Sequence, residues 1–224
     1  MKRVIFDLDG TLVNTITDLG YACNYALHSA GYPTHPIDSY PAMVGNGINK
    51  LIFRALPEPD RTEDNVLRLR ELFVPYYNEH NCDYTRPYEG MEQVLTTLKA
   101  QGYRLAVASN KYQQATEKIV DHYFSGLFDV VLGERTNIPR KPDPQIVFDI
   151  LASLNDKTAN ESYLEHCPLV HYFGDSLVDR DTAYNAGVPF IACAWGFVPY
   201  DQLLSAGIPD IISSPREILD CLKG

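Results

Sequence analysis

Asp7-Leu8-Asp9-Gly10-Thr11 sets two carboxylates two residues apart, directly after the apolar run 3–6. If extended geometry persists past the run, both carboxylates point to one side. Gly10 permits a sharp turn, and Thr11 adds a hydroxyl. Strand-end aspartates also cap the element that follows, so the pair alone has two readings. Ser109-Asn110 comes immediately after a second apolar run, 104–108. A small hydroxyl and the next backbone N–H can both donate to a phosphate oxygen, or the pair can cap a helix. Arg140-Lys141-Pro142 offers in Lys141 a compact cation able to approach phosphate, on a chain stiffened by Pro142 and Pro144. The alternative is a solvated surface pair.

The stretch Phe173-Gly174-Asp175-Ser176-Leu177-Val178-Asp179 lies between an apolar run and a helical one. Carboxylates four apart suit a hard, oxygen-preferring cation, held directly or through water. Magnesium fits better than calcium, because no twelve-residue acidic loop is present. A capped helix with Asp179 in its first turn is the competing reading. The four clusters fall in order, each near the C-terminal end of a different expected strand. Together they supply a nucleophile, a proton-transfer carboxylate, phosphate ligands, a cation and metal-holding carboxylates.

The elements that position these groups follow from periodicity. Residues 3–6 read as a buried strand. The stretch 14–87 shows no convincing internal strand. Helices are expected at 17–30, ended by Gly31-Tyr32-Pro33, at 48–56, and at 62–80 with a kink at Pro75. A helical block of this length is too long for a β-α connection, so 14–87 reads as an inserted helical cap. The catalytic core is then 1–13 with 88–224.

After Tyr88 the pattern alternates. Helices are expected at 90–100, 113–123, 143–154, 177–185 and 200–206, and from Pro215 onward. Strands are expected at 104–108, 128–132, 169–173, 189–193 and 210–212, and 156–166 is read as a short helix. Strands separated by helices imply an α/β fold, a mainly parallel Rossmann-like sheet with helices on both faces.

Composition narrows the partners. The chain has 224 residues, 45 % of them apolar, with 29 acidic and 19 basic residues and a formal charge of −10. That balance argues against nucleic acid, whose binding rests on phosphate-backbone contacts, but not against a small phosphorylated substrate. Cys23, Cys82, Cys167, Cys193 and Cys221 are scattered, without CxxC pairs or zinc spacing. The apolar run 188–199 is too short to cross a bilayer. Met1-Lys2-Arg3 runs straight into the first strand, so no secretory leader and a reducing cytoplasmic setting are expected.

The four clusters resemble the motifs of the haloacid dehalogenase superfamily of phosphatases. Asp7-Leu8-Asp9-Gly10-Thr11-Leu12 is similar to its first motif, Ser109 to the second and Lys141 to the third. Gly174-Asp175-Ser176-x-x-Asp179 is similar to the fourth, and Trp195-Gly196 resembles phosphoglycolate-phosphatase-like members. The resemblance implies that Asp7 attacks phosphorus and forms an aspartyl phosphate. It implies that Asp9 protonates the leaving alkoxide and then activates water. Thr11, Ser109, Asn110 and Lys141 would hold phosphoryl oxygens. Asp7, Asp175, Asp179 and the backbone carbonyl of Asp9 would hold Mg²⁺. In the family, hydrolytic dehalogenases lack the second aspartate, because a halide leaves without a proton; Asp9 therefore points to phosphate esters.

The expected substrate is a small phosphomonoester, with phosphoglycolate the leading candidate. Rivals are a β-phosphoglucomutase-like phosphoryl transferase and a non-catalytic phosphate-binding protein. Substrate choice is expected from the cap, where Gly45-Asn46-Gly47 can bring backbone N–H groups to an anion. Lys50 and Arg54, four apart on the next helix, face either a substrate carboxylate or solvent. Tyr76 and Tyr77 read as helix packing. Oligomeric state is not legible.

Overall fold

Every residue of the first strand, β1 (Arg3–Phe6), is buried, as expected of a strand paired on both edges and covered on both faces. In this computed structural model, which describes residues 2–155 and 170–223, the chain leaves β1 and makes a two-residue strand β2 (Val13–Asn14). Helices α1 (Ile16–Ser29), α2 (Ile48–Ala55) and α3 (Glu63–His80) follow, and strand β3 (Arg86–Pro87) pairs with β2. The remainder alternates as α4 (Met91–Ala100), β4 (Arg104–Tyr112), α5 (Gln113–Phe124), β5 (Val130–Glu134) and α6 (Gln145–Asn155). From residue 170 onward come β6 (Val170–Gly174), α7 (Leu177–Asn185), β7 (Phe190–Cys193), α8 (Tyr200–Ser205), β8 (Ile211–Ile212) and α9 (Ile218–Cys221). The short helix expected at 156–166, and Cys167, lie outside the described residues.

Two compact units result: Met1–Val13 with Pro87–Gly224, and Asn14–Arg86. The first holds a six-stranded sheet in the order β5-β4-β1-β6-β7-β8, with every pair parallel. Side chains alternate across it. Ile5, Ala106, Ala108, Tyr172 and Ala192 join a buried cluster with Ile146, Val147 and Ile150 of α6 and Ala183 of α7. Phe6 turns to the opposite face, stacks on Phe173 at 5.4 Å and meets the edge of Phe128, which in turn packs on Phe124 of α5. Helices therefore cover both faces, and only the strand ends remain for polar chemistry.

Two expected boundaries shift in an informative way. The strand read at 104–108 continues to Tyr112, with a register shift against β5 between Ala108 and Tyr112. The polar letters Ser-Asn-Lys look like a strand end, yet all three residues are buried. The strand read at 128–132 is displaced to 130–134, because Asp129 turns back to accept from the Leu105 amide.

The second unit is helical. Tyr25 of α1 stacks on Tyr76 of α3 at 4.3 Å, and Tyr77 is fully buried against Phe73, so both tyrosines pack. α3 runs through Pro75 without ending. Buried Asp18 accepts from the amides of Tyr84 and Thr85 and from the Thr85 hydroxyl, which fastens the outgoing chain to α1. Short 3₁₀ turns at Ile37–Ala42 and Glu58–Asp60 were not legible in the sequence.

Candidate active site

The chain turns sharply after β1 because three successive amides, Thr11, Leu12 and Val13, bond back to the Leu8 carbonyl. Gly10 sits in that turn against Asp175, where any Cβ would collide with the carboxylate. Gly196 meets Asp175 just as closely from the other side. Asp175 is thus boxed in by backbone, and its oxygens accept from the Phe197 amide (2.7 Å) and the Thr11 hydroxyl (3.3 Å). The Trp195 indole donates to the Thr11 carbonyl at 3.0 Å, which ties the loop after β7 to the turn after β1.

Asp179 is wholly buried at the start of α7. It forms a reciprocal capping box with Ser176: the Ser176 hydroxyl accepts from the Asp179 amide, and the Ser176 amide donates to Asp179 Oδ2 at 3.2 Å, as does the hydroxyl. Its other oxygen, Oδ1, faces Lys141 Nζ at 2.6 Å. Lys141 also contacts Asp7 Oδ1 at 2.9 Å and donates to the Ala108 carbonyl at 2.9 Å. Tyr172 adds a hydroxyl 3.2 Å from both Lys141 Nζ and Asp179 Oδ1. One buried ammonium therefore bridges two buried carboxylates.

The charge balance is unequal. Burial, with Asp179 alongside, pushes the Asp7 carboxyl from 3.8 up to about 7, against the pull of Lys141. Burial raises Asp175 well above the usual carboxylate range, and Asp179 and Asp7 add to it. Burial opposes the charge of Lys141, but Asp179 and Asp7 hold its pKa well above the ordinary value. Carboxyl oxygens of Asp7, Asp175 and Asp179 lie within 4.8 Å of one another. Three mutually repelling carboxylates with a single bridging ammonium call for a further cation, and an all-oxygen donor set suits Mg²⁺. The residues present fit that ion.

The residues expected at the strand ends are brought together, and the side chains of two of them also hold their neighbours. The Thr11 hydroxyl donates to Asp175 Oδ1. The Asn110 side chain brackets the Lys141 backbone, accepting from its N–H (3.0 Å) and donating to its carbonyl (3.1 Å), so it positions the lysine. Ser109 Oγ accepts from the Lys111 amide at 3.2 Å.

Reading the sequence missed Lys111, which is buried and pairs with Asp9 Oδ1 at 3.0 Å. It also missed Tyr172 and Tyr88, the latter a phenol kept neutral by burial and by the nearby charges of Asp175 and Asp9. A lysine just behind Ser-Asn, inside what proves to be a buried strand, was the available signal. Asp181 pairs with neighbouring Arg180 at 2.7 Å, a surface contact.

In the helical unit, the chain turns through left-handed backbone at Gly45 and Gly47, with φ of 106° and 80°. Arg54 is half-buried and bound to its own unit's loop. It donates to the Met43 carbonyl (2.8 Å) and to Asn46 Oδ1 (2.7 Å), pinning the loop from within its own unit. Lys50 is exposed and lies over the Phe53 ring at 5.1 Å.

Comparisons with known proteins agree with this architecture. Residues 4–193 match the family described as haloacid dehalogenase-like hydrolase. A phosphoglycolate phosphatase of Aquifex aeolicus is 31 % identical over 221 residues, covering 98 % of this chain and 95 % of that protein. One of Cereibacter sphaeroides is 31 % identical over 228 residues, covering 100 % and 98 %. A crystal structure of a Lactobacillus delbrueckii subsp. bulgaricus protein, provisionally assigned as a phosphoglycolate phosphatase, superposes with a TM-score of 0.89 at 29 % identity over 100 % of both chains. Among the described residues no helix is long and apolar enough to cross a membrane.

Proposed function

Because this chain belongs to the haloacid dehalogenase-like hydrolases, we propose that it is a Mg²⁺-dependent phosphatase of small phosphomonoesters, phosphoglycolate first among them. The observation that carries the reading is the convergence of Asp7, Lys141, Asp175 and Asp179 at the strand ends, with Asp9 held beside them by Lys111. A phosphate-binding protein has no use for a second aspartate placed to move protons.

In the first step a carboxyl oxygen of Asp7 attacks phosphorus, and the bond from phosphorus to the ester oxygen breaks. Asp9 gives its proton to the departing alkoxide, which leaves as an alcohol. In the second step Asp9, now a carboxylate, takes a proton from water. The water oxygen attacks phosphorus, the phosphorus–Asp7 bond breaks, and inorganic phosphate and the Asp7 carboxylate are regenerated. Ser109 donates to a phosphoryl oxygen, as does the Asn110 backbone N–H, and Lys141 offsets phosphoryl charge from its place between Asp7 and Asp179. Thr11 orients Asp175. Asp7, Asp175, Asp179 and the Asp9 carbonyl would hold Mg²⁺, whose charge lets an anionic nucleophile meet an anionic phosphate. Part of the substrate choice falls to the helical unit, through Gly45, Asn46, Gly47 and Lys50.

The test is phosphate release from phosphoglycolate, hexose phosphates, nucleotides and pyrophosphate, with Mg²⁺ and with chelator. Metal-dependent release is expected, strongest from phosphoglycolate. Conversion of β-glucose 1-phosphate to the 6-phosphate without free phosphate would replace the hydrolase with a mutase.

A further inference from the structure

Among the described residues of the core unit two lysines are buried near the strand ends, and they have different partners. Lys141 lies between Asp7 and Asp179, on the side of the nucleophile. Lys111 lies 3.0 Å from Asp9, with only 4 % of its side chain exposed. Its backbone is held in place: the amide donates to Ser109 Oγ, and the carbonyl accepts from the Thr116 hydroxyl at 3.1 Å. Ser109 and Lys111, two apart on β4, lie within the stretch where its pairing with β5 shifts register. The ammonium is therefore presented from rigid backbone.

The role proposed above for Asp9 locates that ammonium relative to substrate. A general acid sits within about 3 Å of the oxygen it protonates. Asp9 marks the leaving side of the phosphoester, and Lys111 is its direct neighbour. In phosphoglycolate a carboxylate stands one methylene from the ester oxygen. A fixed cation within about 6 Å of that oxygen matches such a carboxylate in charge and reach.

We infer that Lys111 is a specificity-determining residue that binds an anionic group, of the carboxylate class, on the leaving side of the phosphoester. The inference rests on the phosphatase reading and on Asp9 as its acid. It assigns to the core part of the substrate selection otherwise expected from the helical unit. It also gives an acidic protein a defined place for the second negative charge of its substrate.

The test compares phosphoglycolate with ethyl phosphate, which replaces the carboxylate by a methyl group. Both are assayed as kcat and KM with Mg²⁺, in wild type, Lys111→Met, Lys111→Gln and Lys111→Arg. Wild type is expected to prefer phosphoglycolate. In the Met and Gln variants the ratio of kcat/KM values should fall about 10- to 100-fold, mainly through KM for phosphoglycolate. The Arg variant should keep the ratio within about fivefold, since it keeps the charge.

A residue that only steadied Asp9 would lower kcat on both esters and leave the ratio unchanged, and that result overturns the inference. A wild type that does not prefer phosphoglycolate over ethyl phosphate also overturns it, without any variant having to fold, and leaves the hydrolase standing. Release from neither ester, nor from any of the wider panel, removes the hydrolase and this inference together.

Discussion

The strand ends of the α/β unit and the glycine loop of the helical unit both depend on a cation, but they use it in opposite ways. At the strand ends Lys141 faces carboxylates, and burial makes each charge depend on its neighbours. In the loop Arg54 faces a backbone carbonyl and an amide oxygen, and it fixes the path of the chain. The first arrangement holds unbalanced charge that a metal and a phosphate can complete. The second is finished before any ligand arrives. A site for chemistry is left electrically incomplete, whereas a site for shape is closed on itself.

The largest expected effect comes from removing the nucleophile. Asp7→Asn should lower phosphate release by about 10³-fold or more while leaving thermal stability equal or higher, since it deletes one of the crowded carboxylates. Near-wild-type turnover in that variant would remove Asp7 from its role. Lys141→Met strikes the same region through its cation. It leaves Asp7 and Asp179 facing each other and should cost about 3 kcal/mol in chemical denaturation, together with activity. A loss under about 1 kcal/mol would show that the bridge is dispensable.

A third prediction concerns pH. Asp7 titrates at about 7 in the folded metal-free chain against 3.8 ordinarily, so the folded state holds its proton more tightly than the unfolded one. Its contribution to stability is complete below pH 4 or so, and is lost as pH rises through about 7. Asp175 shifts the same way. Across the window from about pH 5 to 8, these two groups should make metal-free Tm fall, and added Mg²⁺ should raise Tm more at pH 8 than at pH 5. Equal Mg²⁺ stabilisation at both ends would contradict the shared acidic site. The smallest effect belongs to the loop. Arg54→Ala should cost about 1 kcal/mol and raise KM several-fold with kcat nearly unchanged. A kcat loss matching that of Lys141→Met would erase the contrast between the regions.

Much of this was legible because strand-end polar residues and helix periods are local signals. β1 and α7 follow directly from short windows, the helix expected at 177–185 being α7 itself, whereas the roles of the motif aspartates come from the family resemblance. Legibility failed where tertiary context overrode local chemistry. Ser109-Asn110-Lys111 looks like a loop, yet burial extends β4 through it. The side chains of Thr11 and Asn110 have partners 164 and 31 residues away, Asp175 and the Lys141 backbone, which no local window reveals. Arg54 looks solvated by composition, and its acceptors exist only once the loop has folded around it.

The shift in β4 also bears on how this chain can change over evolutionary time. Between Ala108 and Tyr112 the pairing with β5 slips, and within that slip sit a hydroxyl, an amide and an ammonium on consecutive residues. Point changes there alter one group at a time. Loss or gain of a single residue would move all three relative to Asp9 and Lys141 at once. In this segment the inherited quantity is a count as much as a set of side chains, and drift in length is closed to it where drift in composition is not.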